Sequence, residues 1–130
     1  MNTPSGDYSF YQLALVSGLQ KDYSGKITLL NRLAGKYPAS PYAISALYEK
    51  GRSYVLMDNN QQAIASFKEL LAKYPESPVS RKAAAEIGLL YYQNEDYDQA
   101  INAYKQVVQK YPGSDEARLA MRDLKSIYVD

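Results

Sequence analysis

The chain has 130 residues, 15 basic against 14 acidic, a formal net charge of +1 at pH 7, and neither cysteine nor histidine. Lacking those two residue types, it can hold no disulfide, thiolate or imidazole metal site, cysteine nucleophile or Ser-His-Asp relay, and no metal or cofactor is expected. The even charge balance excludes the basic stripe of a nucleic-acid surface and electrostatic docking on anionic lipid, and no apolar run approaches the ~20 residues of a membrane-inserted helix.

Residues 1–7 are polar, carry no hydrophobic signal core and read as a disordered linker. Met1 standing close before the Thr3-Pro4-Ser5-Gly6 stretch reads as a cut point, so a longer and exported parent is expected. Helical spacing then predicts helices at 8–20 and 23–36. The tripeptide Lys36-Tyr37-Pro38 follows, and it recurs at Lys73-Tyr74-Pro75 and Lys110-Tyr111-Pro112, each time 37 residues later. A fixed period of this size marks a helical repeat array. Residues 36–72 and 73–109 are identical at thirteen of 37 positions, among them Gly51/Gly88, Tyr54/Tyr91, Ala63/Ala100, Ile64/Ile101 and Lys68/Lys105. Residues 8–35 form an earlier, diverged copy, and residues 110–130 begin a further copy and stop after one helix.

Each copy predicts two helices, at 41–57 and 60–73, at 78–93 and 97–110, and a terminal one at 114–128. In the second helices Ala63, Ile64, Phe67, Leu70, Leu71 and Tyr74 make one apolar stripe, which Ala100, Ile101, Tyr104, Val107, Val108 and Tyr111 repeat. Gln61, Gln62, Ser66, Lys68 and Glu69 are expected to face water. Asp22, Asn59 and Asp96 hold one repeat position, where a short polar side chain caps the second helix. Ser40, Ser77 and Ser114 cap the first helices, with Pro41 and Pro78 at the first helical position. Gly51 and Gly88 lie inside first helices, and the expected reason is a neighbour that crosses too closely for a Cβ. Asp22, Asp58, Glu95, Asp96 and Asp98 cluster near the turns, but capping explains several of them and none is assigned a catalytic role.

Ile87-Gly88, Tyr91, Ala100, Tyr104 and Pro112 resemble the tetratricopeptide repeat, as do Gly51, Tyr54, Ala63, Phe67 and Pro75. The sequence departs from that family's pattern at Lys50, where the family has the leucine of its Leu-Gly pair, at its early tryptophan, where Leu47 and Ala84 stand, and in a period of 37. The longer Tyr-Pro-x-Ser-Pro turn is similar to a bacterial envelope subgroup, the Tol–Pal coordinating proteins and outer-membrane assembly lipoproteins. The resemblance implies an all-α, right-handed superhelix of antiparallel helix pairs, about seven helices in a single domain over residues 1–130. It also implies a non-enzymatic adaptor or scaffold in the cell envelope or periplasm.

In the family, first helices line a concave groove that takes a peptide or protein segment. Carried over by position, the protein-binding groove would comprise Tyr11, Gln12, Leu15, Ser45, Tyr48, Glu49, Arg52, Lys82, Glu86, Leu89, Tyr92, Gln93 and Arg122. Ala85 and Leu119 extend it. Glu49 with Arg52 and Lys82 with Glu86 are also spaced as ion pairs on a solvated helix face. The alternative is a structural slice of a longer array that stacks on neighbouring repeats or self-associates through sticky ends at Phe10, Leu13 and Val16 and at Ile127 and Val129.

Overall fold

The computed structural model describes residues 6–129, with side chains as far as Tyr128. These residues form seven helices and no strand: α1 (Gly6–Leu19), α2 (Tyr23–Lys36), α3 (Pro41–Leu56), α4 (Asn60–Lys73), α5 (Pro78–Gln93), α6 (Tyr97–Lys110) and α7 (Asp115–Val129). The first helix starts two residues earlier than its apolar pattern predicts. Gly6 and Asp7, read from sequence as linker, are its first turn, where the Asp7 carboxylate accepts from the Tyr8 N–H (2.8 Å) and the Ser40 hydroxyl (2.5 Å). A negative charge in a first turn also complements the helix dipole. The rest of the expected linker, residues 1–5, and the Val129 side chain lie outside the described residues.

The helix ends follow from the capping residues. The side chains of Ser40, Ser77 and Ser114 accept from the backbone N–H groups of Tyr42 (3.0 Å), Val79 (3.2 Å) and Ala117 (3.0 Å), satisfying donors that the helix leaves open. Where a first helix passes into a second, the same hydrogen-bonded elbow is built three times. Lys21, Asp58 and Glu95 take the left-handed conformation, with φ of 63°, 60° and 61°. Their N–H groups donate to Gly18, Val55 and Tyr92 carbonyls, while the next residues, Asp22, Asn59 and Asp96, donate to Ser17, Tyr54 and Tyr91. This is the Schellman pattern, here without its usual glycine. Asp22, Asn59 and Asp96 then turn their side chains onto the N–H groups of Gly25, Gln62 and Gln99, so one residue closes one helix and opens the next.

The chain packs as two compact units, Met1–Ser66 and Phe67–Asp130. In the first, α1, α2 and α3 pack on one another around Ala14, Leu30, Leu33, Ala43 and Ala46, with Phe10, Tyr11, Leu29 and Tyr42 against them. In the second, α5, α6 and α7 pack around Ala84, Ala100, Tyr104, Val107 and Ala120, with Leu71, Tyr92, Leu124 and Ile127 added. Gly88 shows why a helix interior tolerates glycine: a Cβ there would stand 2.5 Å from the Tyr104 ring. That ring is fully buried, and its hydroxyl donates to Asp123 (2.9 Å).

Three sequence expectations need correction. Ser66 is buried, because a small side chain can fold its hydroxyl back onto the Gln62 carbonyl (3.0 Å). Phe10 is half-buried and set 6.3 Å from the Tyr37 ring, and Ile127 packs on the second core, so neither is a sticky end. Leu13 and Val16 are exposed as expected, and Leu19 is more so, at 84%.

Candidate interaction surfaces

On the first unit, Tyr11 of α1 meets Ser45 and Glu49 of α3. Tyr11 lies 5.2 Å from the ring of Tyr42, which in turn sits 5.6 Å from Tyr8. Burial pushes the Tyr11 hydroxyl above its ordinary pKa, the Glu49 charge adds to this, and a hydrogen bond with Ser45 works against it. Glu49 also has an internal partner. The ammonium of Lys26, on α2, reaches its carboxylate at 2.7 Å, and Lys26 is only 7% exposed. A buried charge needs such a pairing. Gly18 leaves room for it, since a Cβ there would come within 3.0 Å of the Lys26 stem. Of the other expected site residues on this unit, Leu15 and Tyr48 are half-buried and Gln12 and Arg52 exposed. Lys26, Tyr8 and Tyr42 were not expected there. The signal for Lys26 was its repeat position, which alanine holds at Ala63 and Ala100.

On the second unit, Lys82, Leu89 and Gln93 of α5 are exposed, with Glu86 and Tyr92 half-buried. Tyr92 meets Tyr97 edge to face at 5.7 Å. Arg122 of α7 is exposed and lies 3.4 Å from Asp123. Arg81, one residue before the expected face, pairs with Glu116 across α5 and α7 at 3.0 Å. No residue of the expected face, on either unit, is fully buried.

A cleft that no sequence motif singled out is lined by residues of α4, α5 and α6 in this unit. Its volume is about 210 Å³. Leu71, Ala84, Ile87 and Val107 supply its apolar floor, and Gln99, Asn102, Gln106, Lys68 and Lys110 its exposed rim. Lys68 donates to the Tyr91 hydroxyl at 3.1 Å, and Lys110 stands 5.7 Å from the Tyr111 ring centre.

Family models of the tetratricopeptide repeat match residues 48–115, more than half of the chain, and residues 8–40. The chain belongs to the tetratricopeptide repeat family. Solved repeat structures superpose on it at low identity. The repeat domain of Sgt2 from Aspergillus fumigatus aligns with TM-score 0.71 and 20% identity, over 97% of this chain and 80% of that one. The first repeat domain of Spaghetti (RPAP3), bound to the HSP90 peptide SRMEEVD, aligns with TM-score 0.70 and 15% identity, over 95% and 94%. MamA aligns with TM-score 0.68 and 21% identity over 80% of this chain, which spans 57% of the MamA chain. Such identities carry the tetratricopeptide fold and nothing finer. None of the curated proteins matches in sequence.

Proposed function

We propose that the chain is a non-enzymatic interaction module that captures a peptide or extended segment of another protein on its first helices. The observation that carries this reading is the cluster of Tyr11, Ser45 and Glu49 with Tyr42 on the first unit. It presents half-buried aromatic area, a hydroxyl and a carboxylate on rigid helices. Tyrosines give large contact area at low rotamer cost, and an arginine such as Arg52 suits a carboxylate on the partner. The peptide held by the Spaghetti repeat domain shows that this fold can serve such a role elsewhere. The Tyr37-Pro38 and Tyr74-Pro75 turns, which resemble the envelope subgroup, support a setting in the bacterial cell envelope.

The test is affinity capture from source cells with the chain and a Tyr11→Ala/Arg52→Ala/Tyr92→Ala variant shown to be folded by circular dichroism. The expected outcome is a protein retained by the parent chain and lost by the variant. Equal retention by both would remove the site from the first helices.

A second reading, self-association, rests on Leu13, Val16 and Leu19. They are exposed at 56%, 47% and 84% along one side of α1. An apolar row of this kind gains by meeting a partner surface.

A further inference from the structure

The cleft lined by α4, α5 and α6 differs from the expected first-helix face in its residues and in its chemistry. Its walls contribute two ammonium groups, Lys68 and Lys110, and no carboxylate. Comparison of the repeats shows how that charge arises. In α4 the lysine at the position of Lys110 is Lys73, and it is neutralised by Glu69 one turn earlier at 3.0 Å. In α6 the residue one turn before Lys110 is Gln106. The exchange of a glutamate for a glutamine leaves Lys110 with only the Tyr111 ring among the described residues. Lys68 is likewise held by a neutral group, the Tyr91 hydroxyl, which uses one of its three donors. The Glu76 charge raises the pKa of the Tyr111 hydroxyl after burial has done so, but Arg81 opposes it there and Glu76 does not line the cleft.

Dimensions fix the conformation of an occupant. Gln99 to Lys110 spans about 16 Å of α6 at the ~1.5 Å rise of a helix. An extended chain advances ~3.3 Å per residue and so places about five residues along that length, with alternate side chains on opposite sides. A volume of about 210 Å³ receives a few side chains and is far too small for a helix about 10 Å across. Leu71, Ile87 and Val107 make a floor for aliphatic groups, Gln99, Asn102 and Gln106 offer amides to a peptide backbone, and the lysines wait at the rim.

We propose that this cleft is a second docking site, for an extended peptide segment that alternates acidic and aliphatic residues, and that Gln106 is the residue that makes it receptive. The site is independent of the first-helix reading, and either can fail alone.

The test is a two-dimensional amide NMR titration of the full chain with two capped hexapeptides, one alternating aspartate with leucine and one alternating lysine with leucine. The expected result is saturable shifts at Lys68, Leu71, Gln99, Asn102, Ala103 and Gln106 with the aspartate peptide. The lysine peptide should give none, and the affinity should fall as salt rises. Gln106→Glu should restore the one-turn pair and weaken binding at least tenfold. Because Glu69 occupies the same place in α4, that variant is expected to fold, and Lys68→Ala is the second check, with a smaller loss. No shifts at millimolar peptide, equal shifts with the lysine peptide, shifts confined to Tyr11, Tyr48 and Tyr92, or undiminished binding to Gln106→Glu would each overturn the proposal.

Discussion

Gly88 and Gly35 put opposite signs on one substitution. Alanine is favoured over glycine inside a helix by about 1 kcal/mol. At Gly35 nothing lies within 4 Å of a new Cβ, so Gly35→Ala should stabilise the chain by about 0.5–1 kcal/mol in urea titration. At Gly88 the Cβ would meet the ring carbons of Tyr104, which is buried and tied to Asp123, so it has nowhere to swing. Overpacking costs about 1–3 kcal/mol and outweighs the propensity gain, so Gly88→Ala should destabilise. The same tyrosine gives a pH prediction. Burial first, and then the bond and charge of Asp123, raise the Tyr104 pKa. Burial raises Tyr11 and Tyr111 as well. A phenol held neutral in the fold and free to ionise when unfolded contributes stability that is complete below its ordinary pKa near 10 and is lost above it. Urea midpoints should therefore be level from pH 7 to 9 and fall beyond pH 10. Tyr104→Phe should cost about 1 kcal/mol at pH 7, with the gap to the parent closing in alkali. A gap that stays constant would count against the assignment.

Among elements, the elbows between first and second helices hold the clearest untapped stability. Lys21, Asp58 and Glu95 each force an L side chain into left-handed backbone, a conformation glycine adopts freely. Glu95→Gly should raise stability by about 0.5–1 kcal/mol, because relief of strain exceeds the added freedom of the unfolded chain. Asp96→Ala, one residue on, should lower it by about 1 kcal/mol through loss of the cap on α6. Equilibrium urea unfolding of both single variants tests the pair, and a loss in the first would remove strain as the explanation. These elbows also show where sequence reading stops. The ends of the helices were legible because Ser40, Pro41, Asp22 and Asp96 advertise caps in their own chemistry. The left-handed residues were not, because lysine, aspartate and glutamate carry no mark of that conformation and only the surrounding hydrogen bonds impose it.

At the scale of the molecule, a net charge of +1 gives little repulsion between copies, and the exposed row on α1 invites contact. The Leu13→Glu/Leu19→Glu variant changes the net charge from +1 to −1, leaving its magnitude unchanged. Static light scattering at pH 7 should still show a higher second virial coefficient for the variant, from loss of apolar surface alone. No change would set the self-association reading aside. The fold was legible at this scale because a 37-residue period constrains every copy at once. The cleft was not, since no residue in it breaks a pattern by itself: Gln106 becomes informative only when α6 and α4 are compared and Glu69 is seen holding Lys73. Lys26 was hidden for a related reason, as its charge is explained by Glu49, a residue 23 positions away on another helix.

The double duty of Asp22, Asn59 and Asp96 bears on how such a chain lengthens. Each copy carries its own stop signal, its own start signal and the hinge between them inside one period. A gene that slips and copies itself by a whole period therefore delivers a finished part, with no new seam to invent. A slip of any other length would leave a helix too short or too long, and its apolar stripe would turn away from its neighbours.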